Sequence, residues 1–138
     1  MPFKRILSAV DFSPDSVEGF RIAVEMSSVP SASLHLLHVI EARPTVPVDA
    51  ASEIVEEANA AIDRLVAACG LFPNRQSSLL KSPTANRSMR SSAARAWRAD
   101  LIVLGAKGVA SLGSIILGGT AEHVMREAPC SVLTVRRR

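Results

Sequence analysis

Two cysteines, Cys69 and Cys130, are all that 138 residues contain. They are too few for a disulfide framework and read as two buried thiols in a reducing compartment, so a cytoplasmic protein is expected. No apolar run approaches the roughly 20 residues needed to cross a bilayer, so no membrane partner is expected. The opening "MPFKRILSAVDFS" is interrupted by Asp11 before any cleavage-like site, and it reads as a first strand instead of a signal peptide. Aromatics are scarce where they would matter for nucleic acid. The stretch from Asn74 to Arg98 carries Arg75, Lys81, Arg87, Arg90, Arg95 and Arg98 without an acid, yet Trp97 is its only aromatic. Binding of nucleic acid wants aromatics interleaved with the bases, so no nucleic-acid partner is expected.

Catalytic and metal-binding patterns are missing too. No CxxC or HxxxH spacing occurs. His35 and His38 lie three apart on an expected strand, so their side chains point to opposite faces and cannot share a metal. His123 reads as a helix-surface or interface residue. Ser13, Ser111 and Ser114 have no identifiable paired base. The expectation is a binding protein with no dedicated catalytic constellation, at most a slow hydrolase.

What remains is an ordinary globular chain. Hydrophobic residues make up 48% and charged residues 21%, a balance that excludes disorder, and the length suits one domain over residues 1–138. Its net charge of +3 is unevenly spread: five acids and no base lie between Asp49 and Asp63, opposite in sign to the basic stretch. These are read as two solvated helix faces.

Strand-like and helix-like segments alternate. "RILSAVDF" is followed by "DFSPDS", with Ser13 or Asp15 available to cap a helix in which Val17, Phe20, Ala23 and Val24 share a face. "ASLHLLHVI" and "DLIVLG" are nearly continuous in apolar residues, as in strands covered on both faces. "DAASEIVEEANAAIDRLVAAC" is a long amphipathic helix, and "QSSLLKS" is a short polar strand suited to a sheet edge. "ANRSMRSSAARAWRA", "GTAEHVMREAP" and "SVLTVRR" supply a third helix, a last helix stopped at Pro129 and a last strand. The pattern predicts an α/β chain with a single doubly wound, five-stranded parallel sheet in the order 3-2-1-4-5 and helices on both faces, Rossmann-like in layout. Ligands of such sheets sit outside the carboxyl ends of the strands, where the order reverses.

Glycine is concentrated at one of those ends. Of seven glycines, five lie between Gly105 and Gly119, directly after "DLIVLG". A Walker A loop would need a lysine after Gly113, and Ser114 stands there; the dinucleotide fingerprint GxGxxG is absent as well. The spacing that remains is G-x2-G-x9-G, formed by Gly105, Gly108 and Gly118. Gly105 and Gly108 would allow a sharp turn off the strand, and Gly118 and Gly119 precede a helix whose N-terminal N–H groups suit an anion.

These residues resemble the universal stress protein family over essentially the whole chain. "FKRILSAVDFSPDS" is similar to its opening strand and turn, "LHLLHVIE" to its second strand, and "ADLIVLGAKG" with "LGGTAEHVMREAPCSVLTVR" to its ending, the most specific part. The ATP-binding branch carries G-x2-G-x9-G-[S/T] here. The resemblance implies ATP, or AMP or ADP, with or without Mg, bound across the strand ends. Carried over by position, Ala9, Val10 and Asp11 would line the adenosine, with Asp11 on the ribose, and Val39 would meet the adenine edge through its backbone. Leu104, Gly105 and Gly108 would line the ribose and phosphate side, and Gly118, Gly119, Thr120 and Ala121 would cradle the phosphates. Lys107 is read separately, from its own place inside the G-x2-G turn, as a phosphate-facing charge. Where the family has Ser or Thr, this chain has Gly119, with Thr120 one residue later. The resemblance further implies a homodimer through the last strand, Val132 to Val135. Three functions follow from these expectations: a nucleotide-dependent stress or signalling protein, a family member that works by protein interaction without nucleotide, and, least supported, a nucleotide-binding enzyme subunit.

Overall fold

The computed structural model describes residues 3–41, 48–70, 75–82, 88–107 and 117–138. Among these residues nine elements alternate: β1 (Arg5–Ala9), α1 (Pro14–Met26), β2 (Ser33–Glu41), α2 (Val48–Ala68), β3 (Arg75–Ser82), α3 (Ser88–Trp97), β4 (Leu101–Gly105), α4 (Gly119–Glu127) and β5 (Ser131–Val135). The strands are parallel and lie in the order β3-β2-β1-β4-β5. β1 is central, pairing Ala9 with Leu37 of β2 on one side and with Leu104 of β4 on the other.

The two-residue period of a strand explains why the apolar runs are unbroken. Ile6, Val10, Leu34, Leu36, Leu101 and Val103 pack against Phe20, Ala23 and Val24 of α1 and Ile62 and Leu65 of α2. The alternate residues Leu7, Ala9, Leu37, Ile102 and Leu104 pack on the other face, against Ala94 of α3 and Ala121 and Val124 of α4. A parallel α/β sheet with helices was expected from the pattern, and the chain forms one.

Two boundaries differ from the sequence reading. The first strand was expected to turn after Val10, with "DFSPDS" as the turn, and it ends at Ala9. Phe12 has a φ of 62°, the left-handed region, so the backbone has already turned away from the sheet. The last strand was expected to take in Arg136 and Arg137 and stops at Val135, because Arg137 N–H is drawn to a carboxylate of α1 instead of a ladder. Among the described residues no helix is long and apolar enough to cross a membrane.

One pH response follows from the fold. His35 on β2 meets the Trp97 ring edge-on, at a centroid distance of 5.0 Å. Burial pushes its imidazole below its usual value near 6.5. The unfolded chain therefore takes up a proton more readily than the folded one, so stability is highest above pH ~6.5. It falls as the pH drops from there toward the lowered folded value. Thermal unfolding at pH 7.5 and 5.5 should show a lower midpoint at pH 5.5, and His35→Phe should reduce the difference. An equal difference in both proteins would assign it to other groups.

Candidate functional site

The carboxyl ends of β1 and β4 are adjacent, and the chain winds away from them in opposite directions. The site is built by how each strand exits. Leaving β1, Asp11 is half-buried and its Oδ1 accepts a hydrogen bond from Ser13 N–H at 3.0 Å and from the Ser13 hydroxyl. This is an Asx-type turn, and it holds Phe12 in its left-handed conformation. Ser13 is the N-cap of α1, its hydroxyl accepting from Ser16 N–H, and Pro14 begins the helix, where its missing N–H costs nothing. Asp11 N–H in turn donates to Ser16 Oγ at 3.3 Å, which donates to Ser13 O at 3.0 Å. The short turn is closed on itself by three side chains, Asp11, Ser13 and Ser16, that lie two to five positions apart.

The exit from β4 is fastened to that same helix start. Gly105 lies so close to it that a Cβ would stand 2.6 Å from Ser16 N and 2.8 Å from Asp15 C. Beyond it, Lys107 N–H donates to Asp15 Oδ2 at 3.1 Å, and Lys107 O lies 3.3 Å from the Ser13 hydroxyl. That hydroxyl has one proton for both Asp11 and Lys107, and the shorter contact is to Asp11. Asp15 Oδ1 accepts from Arg137 N–H at 2.9 Å, and Asp15 is only 8% exposed. Ala106 bridges the remaining segments: its N–H donates to Val135 O at 2.8 Å and its carbonyl accepts from Gly118 N–H at 2.6 Å. The ends of β4 and β5 and the starts of α1 and α4 are thus tied into one cluster of backbone groups.

On the other side of β1 lies β2. His38 Nδ1 is 2.7 Å from Val10 O, and the Phe12 ring packs on the imidazole with centroids 4.7 Å apart. Because a carbonyl can only accept, Nδ1 carries the proton. Val39 is half-buried beside them.

The residues expected to bind are placed as follows. Ala9, Val10, Leu104 and Ala121 are buried, with their side chains in the core, so they can present only backbone. Asp11, Gly105, Lys107 and Thr120 are half-buried, Gly118 is buried and Gly119 is exposed. Asp11, Gly105, Lys107 and Gly118 are brought together through Ser13, Asp15 and Ala106. Gly108, Ser111, Gly113 and Ser114 lie outside the described residues. Sequence reasoning gave Ser13 and Asp15 no role beyond capping and missed His38 and Phe12. Asp15 bridges 92 and 122 positions of chain, a relation that no local pattern encodes.

The cluster offers backbone donors and a carboxylate but little acid-base chemistry. Among the described residues no group of three His, Cys, Asp or Glu could hold a metal ion. Cys69 and Cys130 are both half-buried and not joined to each other. Burial, followed by the nearby Asp100 charge, pushes the Cys130 thiol up, away from the reactive thiolate. His123 was read as a surface or interface residue; it is half-buried, with its Nε2 enclosed.

Comparison with known proteins agrees with this architecture. A family model described as "Universal stress protein family" matches residues 2–136. A universal stress protein of Thermus aquaticus is 32% identical over 139 residues, covering 97% of this chain and 99% of that protein. Among solved structures, universal stress protein UspA from Lactobacillus plantarum superposes with a TM-score of 0.79 at 25% identity, over 99% of each chain. Two more distant structures, both 20% identical, carry ligands. One is a universal stress protein in complex with cAMP (TM-score 0.71, covering 99% of this chain and 98% of that one). The other is the universal stress protein from Archaeoglobus fulgidus in complex with dAMP (TM-score 0.69, covering 98% and 99%). A match of this length, together with a 32% identical relative spanning nearly the whole chain, makes the protein a member of the universal stress protein family.

Proposed function

We propose that this protein binds an adenine nucleotide, ATP or one of its products, across the carboxyl ends of β2, β1 and β4, and that occupancy changes its interactions in a stress or signalling response. The observation that carries this reading is the convergence of Asp11 from the exit of β1, Lys107 from the exit of β4 and Gly118 from the start of α4 on one bonded cluster at the point where the strand order reverses. The base would lie at Val39, the ribose at Asp11, and the phosphates between the turn after Gly105 and the N-terminus of α4. There the N–H groups following Gly118 point out of the helix without a side-chain cap. The cAMP and dAMP complexes of two relatives support an adenine nucleotide as the ligand class. Magnesium, if it accompanies ATP, would be held chiefly by the phosphates. The protein would act as a cytoplasmic homodimer, pairing through Val132 to Val135 on edge strand β5, and as a binding protein instead of a dedicated ATPase.

A second reading is favoured by two details. Asp11 Oδ1 already serves Ser13, and Gly118 N–H already serves Ala106. A member that works by protein contact alone would look the same. Titration calorimetry decides: ATP should bind, and Asp11→Ala and Gly118→Val should each weaken it. No heat at millimolar ATP would leave the second reading standing, and unchanged binding in both variants would place the site elsewhere.

A further inference from the structure

β1 and β2 part company at a particular bond. The register that sets Ala9 opposite Leu37 places Val10 opposite His38. Parallel ladders alternate, so Val10 N–H should donate to Leu37 O and Val10 O should accept from Val39 N–H. The first bond is made, at 2.9 Å; the second is not, and β1 ends at Ala9. The carbonyl that Val39 would use is taken by the His38 imidazole, 2.7 Å away. In a parallel strand the N–H and C=O of one residue point to the same side. Leu37 turns its carbonyl toward β1, and Val39, two residues on, does the same just past the end of that strand. Its donor and acceptor are therefore left side by side at the rim of the sheet. Phe12, with its left-handed backbone, lays its ring on His38 and fixes the imidazole there.

We infer that His38 is a positioning residue for base recognition: by occupying Val10 O it holds open the Val39 N–H and C=O as a donor–acceptor pair for the edge of an aminopurine. This rests on the nucleotide reading of the site. An adenine edge presents N1 as acceptor next to the N6 amine as donor, which matches one N–H beside one C=O. Without the imidazole, Val10 O is one ladder step from Val39 N–H, and the sheet can close over the pair. A burial or packing role for His38 would not predict that closure.

Three proteins test it: the wild type, His38→Leu and His38→Asn, whose amide can donate to Val10 O from nearly the same place. Each is titrated with ATP and with inorganic tripolyphosphate, and the exchange of the Val39 amide is followed by NMR without ligand. The expected result is ATP binding weakened about tenfold in His38→Leu, in line with one lost pair of hydrogen bonds. Tripolyphosphate affinity should be unchanged, and His38→Asn should regain most of the loss. The Val39 amide should exchange readily in the wild type and become protected in His38→Leu. Equal ATP affinity in His38→Leu and wild type, or a protected Val39 amide in the unliganded wild type, overturns this inference alone. A wild type that binds no ATP overturns the nucleotide reading and the role of His38 with it.

Discussion

Gly105→Ala is expected to lower the free energy of unfolding by about 2–4 kcal/mol, the range of severe overpacking at a site that cannot relax. The added methyl would stand 2.6 Å from Ser16 N and 2.8 Å from Asp15 C. Real Cβ atoms do not approach backbone so closely, and both obstacles are backbone. Neither can retreat cheaply, because the same turn is pinned by Ser16 N–H on the Ser13 hydroxyl and by Lys107 N–H on Asp15. Backbone conformation plays no part in the argument, as Gly105 is not among the residues of positive φ. Gly19→Ala provides the contrast. Its Cβ would meet Leu104 and Val103 at 3.5–3.7 Å, ordinary contact, and alanine is the better helix former by about 1 kcal/mol. Urea denaturation should show a large drop for Gly105→Ala and no drop for Gly19→Ala. A Gly105→Ala protein within 0.5 kcal/mol of the wild type, on the scale of an ordinary surface change, would mean that α1 is not seated on β4 as described.

That contrast also marks what could be read beforehand. The apolar runs "LHLLHVI" and "LIVLG" announce strands covered on both faces because burial on two sides removes the need for alternation. The glycines after β4 could be read as a turn meeting a helix start, since only local backbone freedom was at issue. The reason that Gly105 itself must lack a side chain could not. It depends on the first turn of a helix about 90 positions earlier in the chain, and the obstacle is a peptide group common to all residues. The same holds for His38. Strand parity assigns it to the face opposite His35, and nothing in its neighbourhood says that its ring will end a ladder at Val10. Asp11 was legible as a carboxylate at a strand end, and the structure adds that one of its oxygens is committed to Ser13.

Asp15→Ala is expected to be about as damaging, at about 2–4 kcal/mol, and for a different reason. The carboxylate accepts from Lys107 N–H and from Arg137 N–H, and removing it strands two backbone donors in a place where the residue is 8% exposed. Each unsatisfied buried group costs about 1–3 kcal/mol. A further few tenths to 1 kcal/mol comes from losing a negative charge in the first turn of α1, where the helix dipole favours it. Water entering the vacated space offsets part of the sum. Asp15→Asn keeps the shape and one acceptor, so it should cost roughly half as much. The decisive measurement is amide exchange in the two segments. In Asp15→Ala the Lys107 and Arg137 amides should lose protection together, although they stand 30 positions apart in the sequence and on the exits of different strands. Loss at one amide only would mean that the carboxylate supports a single segment. Joint loss would show that one buried side chain holds the turn after β4 and the chain leaving β5 in the same state, which physically connects the proposed nucleotide turn to the proposed dimer edge.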